Sequence, residues 1–232
     1  GGGSPSILPR EQLLKLIGEI SNRCPNVEEF TVEVNPGQVD EGILRRLHDS
    51  GVNRLSIGGQ SFNQSELEFL GRGHSPQDIK QAVSSARKAG VNNISLDLIF
   101  AIPDSTLQSW QYSLRSAIDL GVEHISAYSL ILEKGTILNK MVLDGKVKIQ
   151  DETHDAELYQ LTIEYLTNMN FAQYEVSNFA KENFQCVHNN SYWHYKDYLG
   201  FGTSAHSFVN GKRWWNISST RLFIEAINKN QN

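Results

Sequence analysis

One seven-residue phrase returns three times in this chain. It reads Gly51-Val52-Asn53-Arg54-Leu55-Ser56-Ile57, then Gly90-Val91-Asn92-Asn93-Ile94-Ser95-Leu96, then Gly121-Val122-Glu123-His124-Ile125-Ser126-Ala127. Each copy follows a stretch with apolar residues at helical spacing, over residues 40–50, 77–89 and 107–120. A glycine just after the last turn is where a left-handed residue ends a helix, and the short apolar run behind it reads as a buried strand. The intervals between copies suit βαβ units, whose roughly 30 or more residues join parallel strands by right-handed crossovers. Repeated units of this kind build either a barrel or a doubly wound sheet. In both, ligands sit at the C-terminal ends of the strands.

The residues just after each strand therefore carry the functional information. They are Glu33 and Asn35, then Gly58-Gly59-Gln60-Ser61-Phe62, then residues 97–103, then residues 128–133. Asp97 lies inside the apolar run Ser95-Leu96-Asp97-Leu98-Ile99, and Glu33 lies between Val32 and Val34. An ionised carboxylate on a buried strand needs a partner. A core Arg or Lys, or solvent, would satisfy either acid singly. Two acids and a glutamine at corresponding ends of successive strands favour a site.

The flanks fill in the rest. Residues 10–23 carry Leu13, Leu14, Leu16, Ile17 and Ile20 as a helical stripe, and residues 29–34 read as a strand stopped by Asn35-Pro36-Gly37. Beyond Glu133 the rhythm loosens into a loop with a helix-like patch over 134–150, a helix over 151–168, a strand over 173–177 and a last helix over 219–228. Between them the stretch from Cys186 to Asn216 is dense in aromatics and imidazoles, and reads as an accessory segment with a small β structure of its own. At the other end, Gly1-Gly2-Gly3-Ser4-Pro5-Ser6 is either a plain tight turn or a bare-amide edge that meets a polar ligand group.

Composition excludes several roles. The 232 residues are 39% hydrophobic and 20% charged, with net charge −5 and no basic stripe, so nucleic acid is not an expected partner. No apolar run reaches the roughly 20 residues of a membrane span, and no signal sequence opens the chain. Cys24 and Cys186 are too few and too far apart for a disulfide framework or a complete metal site. A reducing, cytoplasmic setting fits. Because the chain opens on Gly1 and not on Met, it is taken as a fragment with sequence missing upstream.

An ordered series of motifs points further. Gly-Gly-Gly-Ser-Pro-Ser at 1–6 is followed by Glu33-Val34-Asn35-Pro36, Arg54-Leu55-Ser56-Ile57-Gly58-Gly59-Gln60-Ser61-Phe62 and Leu70-Gly71-Arg72-Gly73-His74. Next come Asp97-Leu98-Ile99-Phe100-Ala101-Ile102-Pro103, His124-Ile125-Ser126-Ala127-Tyr128-Ser129-Leu130 and Tyr174-Glu175-Val176-Ser177-Asn178-Phe179-Ala180. His188-Asn189-Asn190-Ser191-Tyr192-Trp193 and Tyr198-Leu199-Gly200-Phe201-Gly202 complete it. The series resembles the radical S-adenosylmethionine proteins of the oxygen-independent coproporphyrinogen III oxidase-like family, and within it the haem-chaperone branch with its His-Asn-x-x-Tyr-Trp motif.

The resemblance implies an α/β fold: a partial (β/α)6 radical-SAM barrel lacking its first strands, plus a C-terminal accessory α+β segment. The barrel core is expected over residues 1–135, with the end of the barrel and the accessory domain over 136–232. A [4Fe–4S] cluster in this family is held by a Cys-x-x-x-Cys-x-x-Cys loop, expected upstream of Gly1, so this chain is expected to hold no metal ligands and no catalytic residue of its own. By resemblance Gly2, Gly3 and Ser4 meet the methionyl part of S-adenosylmethionine, and Glu33, Gln60, Arg72 and Asp97 supply further contacts. His188 matches a haem ligand, with Tyr192, Trp193 and Tyr195 able to pack on the macrocycle. Taken as a lone histidine it would equally suit a core or loop position. Gly59 stands where the family usually has Val, Met or Leu, and Ala101 and Asp104-Ser105 depart from a Gly-Leu-Pro-x-Gln-Thr style of loop. The implied function is haem binding and transfer to a recipient protein. The alternative is oxidative decarboxylation of coproporphyrinogen III.

Overall fold

The computed structural model describes residues 4–229. Two compact units divide them: Pro5–Gln185, and Ser4 with residues 186–229. The division in chain contacts thus falls at Gln185/Cys186, whereas the 135/136 boundary divides the sequence by motif.

In the larger unit a 3-10 turn (Pro5–Ile7) leads into α1 (Arg10–Arg23), which buries Leu13 and Ile17. Then β1 (Thr31–Val34), α2 (Glu41–Asp49), β2 (Arg54–Gln60), α3 (Gln64–Phe69), α4 (Pro76–Lys88), β3 (Ile94–Phe100), α5 (Leu107–Asp119) and β4 (His124–Ser129) alternate. Local chemistry fixes the helix ends. The Asp40 carboxylate accepts from the Ile43 N–H at 2.9 Å, and Ser75 with Asp78 forms a capping box. Gly51, Gly90 and Gly121 close α2, α4 and α5 at φ of +97°, +97° and +72°, the left-handed region where only glycine escapes a Cβ clash.

Strands β1 to β4 pair in parallel and in sequence order. Their apolar residues alternate with polar ones. Val32, Val34, Leu55, Ile57, Leu96, Leu98 and Ile125 are buried in one core with Leu44, Leu47, Ile79, Val83 and Leu114 of the helices. Each such aliphatic side chain contributes about 1.5–3 kcal/mol on burial. The alternate residues form a second, polar face.

After β4 come α6 (Ile137–Leu143) and α7 (Glu152–Asn168), then two short strands, β5 (Ala172–Gln173) and β6 (Asn178–Ala180). Here the single strand expected over 173–177 is corrected. Residues 174–177 form the turn between β5 and β6, closed by Tyr174 N–H donating to Asn178 C=O and Ser177 N–H donating to the Glu175 carboxylate. Strand β6 then pairs antiparallel with β4. The first strand is also shorter than its β-branched pattern predicts, spanning Thr31–Val34, although Phe30 C=O still accepts from the N–H groups of Asn53 and Arg54.

The smaller unit holds α8 (Val187–Trp193), a β7 (His206–Val209) and β8 (Lys212–Trp215) hairpin, and α9 (Thr220–Asn228), which Ser219 caps. This is the accessory β structure expected from its aromatic-rich sequence.

Candidate functional site

Register builds the polar face. Glu33 pairs with Ser56, Ser56 with Ser95, Ser95 with His124, and Asp97 with Ser126. At the N-terminal end this face is closed: Arg54, Ser95 and His124 are all buried. Toward the C-terminal ends it opens, with Asp97 half-buried and Glu33 exposed. Two of the acids read from the sequence therefore lie on one face. Neither forms an ion pair among the described residues, so a core Arg or Lys does not account for them.

Asp97 is held by hydroxyls instead. Ser56 Oγ donates to Oδ1 and Oδ2 at 3.0 and 3.1 Å, and Ser95 Oγ donates to Oδ1 at 3.5 Å. Burial pushes the Asp97 carboxyl above its usual range, and the charge of Glu33 adds to this. Hydrogen bonds from Ser126 and Ser56, and the charge of Arg54, oppose the rise without cancelling it.

A hydrogen-bond chain runs on from Ser95. His124 Nδ1 lies 2.8 Å from Ser95 Oγ, and its Nε2 lies 2.8 Å from the Tyr174 hydroxyl. With the Ser95 proton directed at Asp97, its oxygen accepts from Nδ1–H, and Nε2 accepts from Tyr174. Burial, helped by the nearby Arg54 charge, pushes His124 down to about 3, so the ring is neutral and keeps this pattern. Among the described residues the guanidinium of Arg54 has one long hydrogen bond, to Thr31 Oγ1 at 3.5 Å, and its buried Nε has no partner. Asn178 Oδ1, on β6, is likewise buried and unpaired. The open part of the face, with Asp97 half-buried and Glu33 exposed, presents carboxylate acceptors suited to a polar ligand that carries N–H or O–H donors.

Gln60 ends β2 at φ +66°, a left-handed conformation uncommon for a non-glycine residue, just after a register shift. Its neighbours hold it there. Ser61 N–H donates to Gly59 C=O at 2.8 Å, closing a three-residue turn. The buried His74 donates Nε2–H to the same carbonyl at 3.1 Å, since a carbonyl can only accept. Ser61 Oγ donates to the buried Glu66 carboxylate, which also accepts from Ser109 Oγ at 2.8 Å. Phe62 N–H donates to Ser113 Oγ at 3.1 Å.

Arg72 lies in the exposed segment after α3, and no hydrogen bond or ion pair joins its side chain to Glu33, Gln60 or Asp97. Gly2 and Gly3 lie outside the described residues, and Ser4 is half-buried. Sequence reasoning missed Ser56, Ser126, His124 and Tyr174. The signal that finds the first three is the alternation Arg54-Leu55-Ser56-Ile57 and His124-Ile125-Ser126-Ala127, polar at every second position, and it does not reach Tyr174.

In the smaller unit His188 sits on α8, where helical spacing brings it to Tyr192. The Tyr192 hydroxyl lies 2.8 Å from His188 Nε2, with ring centroids 4.7 Å apart at 78°. Tyr192 meets Tyr198 edge-on at 4.6 Å, and Tyr198 stacks on Phe208 at 6.2 Å. Around them Trp193, Tyr195 and Phe201 are exposed. An imidazole on the edge of an aromatic cluster fits a flat, apolar macrocycle with a central metal. Among the described residues no group of three or more His, Cys, Asp or Glu side chains is placed to hold a metal ion, and no helix is long and apolar enough to cross a membrane.

Comparison with known proteins agrees with this architecture. The haem chaperone HemW of Bacillus subtilis is 37% identical over 230 residues, covering 98% of this chain and 61% of that protein. Radical S-adenosyl methionine domain-containing protein 1, mitochondrial, of Danio rerio is 38% identical over 208 residues, covering 89% of this chain and 47% of that protein. The chain thus spans about half to three-fifths of the length of these curated relatives. Coproporphyrinogen III oxidase (HemN) from Escherichia coli superposes with a TM-score of 0.80 at 22% identity, covering 100% of this chain and 56% of that one, a likeness of fold. The Radical SAM superfamily profile matches residues 1–117. With four parallel strands, crossover helices on one face and polar groups on the other, the chain belongs to the radical SAM superfamily.

Proposed function

We propose that the protein to which this chain belongs binds haem through His188 and passes it to a recipient protein, and that the polar face of the sheet is its S-adenosylmethionine surface. The observation that carries the haem reading is the His188-Asn189-x-x-Tyr192-Trp193 motif folded as one helix against an aromatic cluster. The relatives named haem chaperone support it.

On the sheet, Glu33 and Asp97 suit the cofactor's ammonium and ribose hydroxyls, because ionised carboxylates only accept. Gln60 supplies amide groups at the C-terminal end of β2, and Arg72 a guanidinium that can grip a carboxylate. Gly2, Gly3 and Ser4 complete the methionyl edge in this reading. When bound with a [4Fe–4S] cluster, S-adenosylmethionine supplies radical chemistry, while the protein orients and shields it. No residue of this chain is assigned to the cluster or to a catalytic proton transfer. The setting is cytoplasmic and the partners are haem and a protein acceptor, without nucleic acid. Oxidative decarboxylation of coproporphyrinogen III gains no support from the described residues, since the likeness to the oxidase is one of fold.

Two titrations test the reading. Ferric haem should bind the parent chain with a shifted Soret band and bind His188→Ala far more weakly. Equal affinity and an unchanged spectrum would remove His188 as ligand. S-adenosylmethionine binding by calorimetry should be weakened about tenfold by Glu33→Gln or Asp97→Asn, as expected when a charge-assisted hydrogen bond to the ligand is lost.

A further inference from the structure

The single hydrogen bond to the His188 ring among the described residues is the one from Tyr192, and it falls on Nε2 at 2.8 Å. An imidazole nitrogen has one in-plane position for a partner. If Tyr192 donates its O–H, that position holds its proton. If Nε2–H donates to Tyr192 instead, the nitrogen carries its own proton. In neither case is a lone pair open to a metal. The other nitrogen, Nδ1, lies beside the residue's own Cβ, where a flat macrocycle approaches less freely.

We propose that Tyr192 is a positioning residue that occupies the haem-ligating nitrogen of His188 until haem arrives, and so sets how readily haem is gained and released. This rests on His188 being the haem ligand. Ligation at Nε2 requires the Tyr192 hydroxyl to leave. Because the hydroxyl is fixed to its ring, the two side chains must rotate apart for this, and the edge contact of Tyr192 with Tyr198 at 4.6 Å favours the return of the hydroxyl to Nε2 when haem departs. A carrier needs this property more than tight binding, because each transfer breaks the iron–nitrogen bond. An internal donor that re-forms its hydrogen bond offsets part of that cost.

The motif spacing is what makes the competition possible. Positions i and i+4 of one helix are neighbours, so the histidine and tyrosine of His-Asn-x-x-Tyr meet without help from any other element. An ordinary surface pair has the same spacing. What distinguishes this one is that the contacted atom is the nitrogen that iron would use.

The test compares the parent, Tyr192→Phe and His188→Ala. Tyr192→Phe keeps the ring and deletes the competitor. Ferric haem should bind it about fivefold tighter, the worth of one ordinary hydrogen bond. Haem loss to excess apomyoglobin, followed in the Soret band, should slow by a similar factor. In the haem-free chain the 15N resonance of His188 Nε2 should move in Tyr192→Phe. If Tyr192→Phe matches the parent in affinity and release while His188→Ala loses haem, the competition is overturned and the ligand assignment stands. If His188→Ala binds haem like the parent, the ligand assignment itself fails, and the role of Tyr192 with it. An unmoved Nε2 resonance overturns the hydrogen bond on which the competition depends.

Discussion

Ser56 donates its hydroxyl to both carboxylate oxygens of Asp97, at 3.0 and 3.1 Å, across the β2–β3 ladder. A serine and an acid on adjacent parallel strands form a neutral-donor pair where an ion pair might be expected. The arrangement keeps Asp97 fixed without spending its charge on a cation. A carboxylate so held keeps acceptor capacity for a ligand, and the protein bears the desolvation of that charge in the meantime. Stability and binding are therefore opposed at this residue.

Asp97→Asn should expose that opposition. The folded chain holds the Asp97 carboxyl above its ordinary value, chiefly by burial. The folded state then binds more protons than the unfolded one between the ordinary and the raised values, so stability falls as pH rises through that window. Above it the ionised acid is a net penalty, and an amide removes the penalty while keeping an acceptor for Ser56. Urea unfolding should show Asp97→Asn gaining stability relative to the parent as pH rises, with the gain vanishing in acid. A destabilised variant would mean that the carboxylate is structurally required.

His124 should give the opposite pH dependence. Its folded value of about 3 lies far below the ordinary 6.5. Between these values the unfolded chain takes up a proton that the folded one refuses. Its contribution is fully present above pH 6.5 and is lost as pH falls toward 3. The slope contributed approaches about 1.4 kcal/mol per pH unit within the window. Urea midpoints of parent and His124→Gln, measured across this range, should converge as pH falls. Parallel curves would contradict a neutral, buried His124.

The sequence made the βα rhythm legible because each of its parts has a local cause: a cap, an amphipathic face, a helix-ending glycine. It pointed to Glu33 and Asp97 because acids on buried strands need explanation, and the register puts both on one face of the sheet. The hairpin of β5 and β6 was not legible. Residues 173–177 alternate like a strand, but the backbone bonds of Tyr174 and Ser177 close a turn. Nor was the His124–Tyr174 contact, whose partners are far apart in sequence and meet only because β6 pairs with β4. The positive φ of Gln60 was hidden as well, since nothing in a glutamine announces it.

Glu123 was read only as part of a repeat, yet it ties three elements together. Its carboxylate accepts from Arg87 Nη2 at 2.7 and 2.8 Å and from the Ile94 N–H at 3.1 Å. The same guanidinium reaches Gly121 C=O at 2.9 Å. With the Glu123 side chain only 12% exposed, solvent screens this pair far less than the surface i, i+4 pairs. Glu123→Ala leaves Arg87 and the Ile94 N–H short of partners and should cost about 2–3 kcal/mol in urea unfolding, against under 1 kcal/mol for Glu225→Ala on α9. Equal losses would place the pair with ordinary surface bridges.

Two positions carry each other's ideal residue. Gly59 has no positive φ, and a Cβ built on it meets Leu96 Cδ2 at 3.5 Å, Asp97 O at 3.6 Å and Ile79 Cδ1 at 3.6 Å, all ordinary contact distances. Alanine fits there and restricts the unfolded chain, so Gly59→Ala should stabilise by about 0.4–1 kcal/mol. Ala101, buried after β3, has φ +58°, where a Cβ is strained by about 1–2 kcal/mol. Ala101→Gly relieves that strain but frees the unfolded chain, leaving a net gain of about 0.5–1 kcal/mol. Both sites abut the strand ends assigned to the cofactor, on β2 and β3, yet neither side chain belongs to a proposed contact. The double variant should unfold at a urea midpoint above either single variant, with S-adenosylmethionine affinity unchanged. A stabilised chain that loses the cofactor would show that the strained loop at Ala101 is itself part of the binding surface.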